Sequence, residues 1–201
     1  MAQIKAIIFD IGGVLLDSEQ SFDGIYGEFA RAVGAPPEKV VKLHNDYLDR
    51  MLYGKISAAG FFALVKKKFH TKGDLKKAWL TVAMKRITLN KNLLRTVDKL
   101  RKHHTLALLS NVSEIRSFVD EQYDIYSHFD QRFLSYKLKM QKPSKSIFNY
   151  ALRKLKAKPG EALFIDDKEA HLRVARELGI HCIQFNNNAQ LRTELAPFGL
   201  L

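Results

Sequence analysis

The sequence predicts an α/β protein: a doubly wound, mostly parallel sheet with a helical segment inserted after its first strand. Three observations predict it. Short apolar runs stop abruptly at polar residues, helical patterns separate those runs, and one long stretch carries helix patterns alone.

The first run is Ala6-Ile7-Ile8-Phe9, stopped by Asp10 and the pair Gly12-Gly13. A continuous branched, apolar run of this length suits a parallel strand covered on both faces. Leu106-Ala107-Leu108-Leu109 before Ser110-Asn111 has the same form, as does Ala162-Leu163-Phe164-Ile165 before Asp166-Asp167. His181–Phe185 is a weaker fourth strand. Between them, Leu93, Leu94, Val97 and Leu100 mark a helix after Asn90. Ile147, Phe148, Ala151, Leu152 and Leu155 mark another, capped by Ser144, and Leu172, Val174, Ala175 and Leu178 a third, stopped by Gly179.

From Asp17 to about Ile87 no strand pattern is convincing. Phe22, Ile25, Phe29 and Val33 form one helix face, ended by Gly34 and Pro36-Pro37. Val40, Leu43, Tyr47 and Met51 form a second, ended by Gly54. Phe61, Leu64, Val65 and Phe69 follow Ser57 as a cap, and Leu75, Ala78, Trp79 and Val82 follow Asp74. The expected organisation is an α/β core of residues 1–16 and 88–201 with a four-helix cap of residues 17–87.

Composition sets the class. The chain has 201 residues, 46% hydrophobic and 27% charged, which supplies a real core and excludes wholesale disorder. No apolar run approaches a bilayer span, and the apolar stretch near Met1 is short and cut by Asp10, so the expectation is a cytoplasmic protein without a secretory signal. A single cysteine, Cys182, excludes an intrachain disulfide and a thiolate zinc site.

The net charge of +12 is local: residues 51–105 hold 14 basic and 2 acidic side chains. Nucleic acid or a polyanion could be drawn to such a segment. A solvated lysine-rich face is the favoured reading, because Lys66, Lys67 and Lys68 fan around one helical turn.

A parallel sheet aligns the carboxyl ends of its strands, so Asp10, Ser110-Asn111 and Asp166-Asp167 converge on one crevice. A nucleophile-grade carboxylate, a hydroxyl with backbone donors and an acidic pair suit a hard cation and a phosphate. Lys142-Pro143, just before a helix, could add the cation.

These motifs resemble those of the haloacid dehalogenase superfamily. Phe9-Asp10-Ile11-Gly12-Gly13-Val14-Leu15-Leu16-Asp17-Ser18 is similar to its first motif and Leu109-Ser110-Asn111 to its second. Lys142-Pro143 resembles the third and Phe164-Ile165-Asp166-Asp167 the fourth, in family order across the whole chain. The resemblance implies a Rossmann-like core with an inserted helical cap. It also implies a Mg²⁺-dependent phosphatase or phosphotransferase that acts on a small phosphorylated metabolite through an aspartyl-phosphate. Asp10 would be the nucleophile, Ser110 and Asn111 would bind phosphate, and Lys142 would offset charge. Asp10, the Gly12 carbonyl, Asp166 and Asp167 would hold Mg²⁺.

One position departs from the family pattern. Two residues after the nucleophile, where the phosphatases usually carry a second aspartate that moves protons, stands Gly12. Histidines 44, 70 and 171 are read as surface or helix-face residues rather than replacements, and Asp17 and Glu19 as other proton carriers with no better support. Two alternatives follow: a 2-haloacid dehalogenase-like hydrolase, which also lacks that aspartate, and a non-catalytic relative that binds a partner or nucleic acid through residues 51–105.

Overall fold

The computed structural model describes residues 3–18 and 22–200. Its elements run β1 (Ala6–Phe9), β2 (Leu16–Ser18), α1 (Phe22–Ala32), α2 (Pro37–Leu52), α3 (Ala58–Phe69), α4 (Leu75–Arg86) and β3 (Ile87–Leu89). Then follow α5 (Lys91–Leu100), β4 (Thr105–Ser110), α6 (Glu114–Gln122), β5 (Gln131–Leu134), α7 (Ser135–Leu138) and α8 (Lys145–Leu155). The chain closes through β6 (Ala162–Asp166), α9 (Glu169–Glu177), β7 (His181–Gln184) and α10 (Asn188–Leu195).

The main sheet has the order β5-β4-β1-β6-β7 and is parallel throughout. β1 lies at its centre, and every one of its residues is buried. Alternate side chains point to opposite faces. Ile7 and Phe9 join a core with Leu93, Val97 and Leu191, while Ile8 joins Phe148, Ala151 and Leu172 of α8 and α9 on the other side. Helices on both faces make the sheet doubly wound, as the sequence predicts.

The register positions the site. Phe9 lies opposite Leu108 on one side and Ile165 on the other. One residue further on, Asp10 and Asp166 stand level at the carboxyl edge, with Ser110 beside them on β4.

Four helices fill the insert. Two start on the predicted side-chain caps: Ser57 Oγ accepts from Gly60 N–H at 3.1 Å and Asp74 Oδ1 from Lys77 N–H at 3.0 Å. Tyr26, Phe29, Phe61 and Trp79 of the insert are fully buried and continue the core that Ile7 and Phe9 join. Lys66, Lys67 and Lys68 are exposed in the last turn of α3, where cations favour the helix dipole.

The structure adds strands where none is expected. Chain exit and return pair as a short antiparallel ribbon, Leu16 opposite Leu89 and Asp17 opposite Thr88. Asn90 N–H donates to Leu15 O at 2.9 Å and closes the same seam. A second contact between insert and core forms at Gly54, which has φ 64°, and where a Cβ would overlap the Tyr136 carbonyl. No helix among the described residues is long and apolar enough to cross a membrane.

Candidate active site

Asp10, 5% exposed, leaves the sheet edge with its backbone N–H donating to Ile165 O at 2.9 Å. Its Oδ1 accepts from Ile11 N–H at 2.7 Å, and its Oδ2 faces the Lys142 ammonium at 3.0 Å. Lys142 is 2% exposed, and the same Nζ lies 2.6 Å from Asp166 Oδ2. One buried cation thus bridges carboxylates from two neighbouring strands.

Asp166 is saturated. Its Oδ1 accepts from Lys168 N–H at 2.8 Å, and His171 Nδ1 lies 3.0 Å from both carboxylate oxygens. Burial alone would raise its pKa. The His171 hydrogen bond and the charge and hydrogen bond of Lys142 outweigh burial and hold the carboxyl well below the usual range.

Asp167 is the opposite case. Burial raises its pKa, and the negative charges of Asp10 and Asp166 add to the effect. Its Oδ1 is buried with no hydrogen-bond partner among the described residues. The carboxylate packs on Gly13, which has φ 76° and where a Cβ would collide with it. Two neighbours of one acidic motif therefore do different work.

Ser110 is buried at the end of β4, and its hydroxyl makes no bond within the described residues. Both ends of the Asn111 side chain are taken: Nδ2 donates to Lys142 O and Oδ1 accepts from Lys142 N–H, each at 2.8 Å. Asp10, Gly12, Ser110, Asn111 and Asp167 all line a cavity of about 250 Å³, and Lys142 lies behind it.

The histidines correct the sequence reading. His171 is buried and reaches the site through Asp166, because α9 starts directly after the acidic pair and turns its first helical turn inward. One oxygen each of Asp10 and Asp166 and a His171 nitrogen fall within 4.8 Å of one another. His44 is also buried, stacked on Tyr26 in the insert. Of these three, His70 alone is exposed, at the end of α3. Asp17 lines the cavity, and Glu19 lies outside the described residues. Sequence reasoning also passed over Arg116, which lines the cavity and pairs with fully buried Asp120 at 2.8 Å. Their i, i+4 spacing was the available signal.

A model of haloacid dehalogenase-like hydrolases matches residues 4–179. The chain belongs to this family. Among its relatives is a D-ribitol-5-phosphate phosphatase of Bacteroides thetaiotaomicron, 29% identical over 206 residues that span 96% of this chain and 97% of that protein. A family enzyme from the same organism, solved as a magnesium complex, is 25% identical with a TM-score of 0.73, covering 91% of this chain and 93% of the other. A family hydrolase from Porphyromonas gingivalis superposes with a TM-score of 0.76 at 23% identity, covering 97% and 98% of the two chains, and shares the fold. In this haloacid dehalogenase-like hydrolase the four motifs are therefore one constellation, assembled from β1, β4, β6 and the loop before α8.

Proposed function

We propose that this hydrolase is a Mg²⁺-dependent phosphatase or phosphotransferase acting on a small phosphorylated metabolite through an aspartyl-phosphate on Asp10. One observation carries the reading: beside buried Asp10 stand a cation, an uncommitted hydroxyl and a carboxylate oxygen buried without a partner. An unpaired buried carboxylate is costly and is the kind of group a hard cation satisfies. Asp10, the Gly12 carbonyl and Asp167 would hold magnesium, with Asp166 adding charge while its oxygens stay on Lys142, His171 and Lys168 N–H. When bound, the ion supplies positive charge to the carboxylates and to the phosphoryl oxygens.

The chain's own residues then divide the work. An Asp10 oxygen attacks phosphorus, an acyl-phosphate bond forms and the bond to the leaving oxygen breaks. Ser110 Oγ–H and backbone N–H groups near Asn111 bind phosphoryl oxygens, and Lys142 opposes the charge that spreads over the phosphoryl group. Water, or an acceptor alcohol, then takes the phosphoryl group and regenerates Asp10.

Residues 17–87 act as a cap on a catalytic core of 1–16 and 88–201, with closure at the β2–β3 ribbon excluding water. The phosphatase relative turns the substrate search toward small polyol phosphates. A panel of metabolite phosphates, assayed with Mg²⁺ and with EDTA on wild-type and Asp10→Asn protein, tests the reading. Turnover that needs both Mg²⁺ and Asp10 is expected. Retained activity in folded Asp10→Asn protein, or chloride release from 2-chloropropionate in EDTA, would reject it in favour of another chemistry.

A further inference from the structure

A groove of about 700 Å³ lies between α3 and the start of α4 on the insert and α6 on the core, and it shares no lining residue with the catalytic cavity. Its floor is apolar: Ala59, Phe62 and Ala63 of α3, Leu75 of α4 and Phe118 of α6. α6 stands between the two depressions. Positions 114 and 118 share one face of that helix and 116 lies on the opposite one, so Glu114 and Phe118 face the groove while Arg116 faces the cavity.

Charge sets this groove apart. Residues 58–86 hold eight lysine and arginine side chains and one acidic side chain, Asp74. Of the three lysines that fan around the end of α3, Lys66 alone lines the groove, and Lys76 of α4 faces it from the other wall. Neither forms an ion pair among the described residues. Lys76 Nζ is held 3.9 Å from the centre of the Phe118 ring, a cation–π contact that fixes the charge over the floor. The two carboxylates of the groove are spent elsewhere. Asp74 Oδ1 caps α4 by accepting from Lys77 N–H, and Glu114 Oε2 accepts from Ala58 N–H at 2.6 Å at the start of α3. Each is opposed by the positive end of a helix, which leaves the two ammonium groups without a counter-charge.

We propose that this groove docks an acidic amphipathic helix of a partner protein, whose apolar face rests on Phe62, Leu75 and Phe118 and whose carboxylates meet Lys66 and Lys76. The walls are helices, whose backbone groups are bonded internally, so no strand edge is offered and recognition runs through side chains. Ala59 and Ala63 let the partner come close on one side. A second copy of this chain does not fit, because its matching face carries the same lysines. A nucleic acid would answer the lysines, yet its phosphates gain nothing from an apolar floor. The occupant bridges insert and core on the helix that backs the catalytic cavity.

The test is fluorescence anisotropy in about 0.15 M salt, where the Debye length is about 8 Å and distant charges are screened. The probe is a labelled peptide of about 18 residues, long enough to hold a helix, with leucine at every third or fourth position and glutamate and alanine elsewhere. Saturable binding is expected, at least about tenfold tighter than for a scrambled peptide of the same composition. Ala63→Glu, which adds a carboxylate at an exposed helical position in the groove, and Lys76→Glu should each weaken it about tenfold or more. Lys68→Glu makes the same charge change outside the groove and should stay within about threefold of wild type. Thermal melts establish that each variant is folded. Absence of saturable binding to wild-type protein overturns the proposal. So does equal binding of the scrambled peptide, which needs charge alone, or an equal loss in Lys68→Glu and Lys76→Glu. A labelled oligodeoxythymidine that binds more tightly than the peptide, and is lost in Lys76→Glu, overturns it in favour of a nucleic-acid surface.

Discussion

Asn111 and Lys142 grip each other twice, the Asn111 amide donating to the Lys142 carbonyl and accepting from its N–H, both at 2.8 Å. The end of β4 is thereby tied to the loop before α8. That tie fixes the backbone from which Lys142 reaches between Asp10 and Asp166. Asn111→Ala should lower kcat/KM about a hundredfold through misplacement of Lys142. It should also cost about 1–3 kcal/mol of stability, from two backbone groups left without partners. Steady-state kinetics alongside a denaturant melt checks both. A destabilised variant with full activity would mean that other contacts hold Lys142.

The unequal partners of Asp166 and Asp167 predict unequal phenotypes. Asp167→Asn should raise the Mg²⁺ needed for half-maximal activity by about tenfold or more, with little change in stability. Asp166→Ala should act mainly on the fold, because it strips a buried partner from the Lys142 ammonium. Breaking a buried pair in this way typically costs about 3–5 kcal/mol. Metal titration by calorimetry and urea unfolding separate the two. Identical magnesium titrations in wild type and Asp167→Asn would remove Asp167 from the metal site.

His44 predicts an acid-sensitive insert. Burial lowers its pKa below the ordinary 6.5, against the opposing pull of the Asn45 hydrogen bond and the Asp23 charge. Below the unfolded pKa the unfolded chain therefore binds the proton more readily than the folded one. Stability present above about pH 6.5 should decline as pH falls toward the folded pKa. His44→Gln should flatten that part of the pH–stability curve. A wild-type profile that is level between pH 7.5 and 5.5 would refute the assignment.

The parts legible in the sequence are those that local pattern dictates. β1, β4 and β6 are buried on both faces and so appear as unbroken apolar runs, and the polar residues that end them are Asp10, Ser110 and Asp166. β5 is an edge strand whose Gln131 and Arg132 face solvent, so no such run marks it. β2 and β3 are three residues each and exist because the two chain crossings meet. The histidines fail for a different reason. Whether a helix places a histidine inward depends on its tertiary neighbours, Asp166 for His171 and Tyr26 for His44, which no local pattern contains. Asn111 sits in a recognisable motif, yet its commitment to Lys142 joins residues 31 apart in sequence.

The adjacent glycines of the first motif make opposite predictions, and Gly12 carries the mechanistic one. At Gly13 the backbone has φ 76° and a Cβ would strike the Asp167 carboxylate, so Gly13→Ala should damage the site. At Gly12 an added Cβ meets nothing within 4 Å, so an aspartate side chain can be introduced. Wild-type protein has no proton donor at this position, and phosphoryl transfer places substantial charge on the leaving oxygen. Aryl, acyl and anomeric phosphates should therefore react faster than simple alkyl esters. A positioned acid–base group is typically worth about a hundred- to ten-thousand-fold. Gly12→Asp should consequently speed cleavage of pentyl phosphate by about tenfold or more, the lower end reflecting an unoptimised geometry. The first step on p-nitrophenyl phosphate, whose leaving group needs no proton, should change little. If the reaction runs through the proposed aspartyl-phosphate, the variant should also shorten the life of that intermediate, because an aspartate here can activate water. Rapid-quench measurement of phosphoenzyme and product resolves both steps. Loss of alkyl-ester activity in a folded, magnesium-binding Gly12→Asp protein would show that another side chain already delivers the proton and that the new carboxylate displaces it.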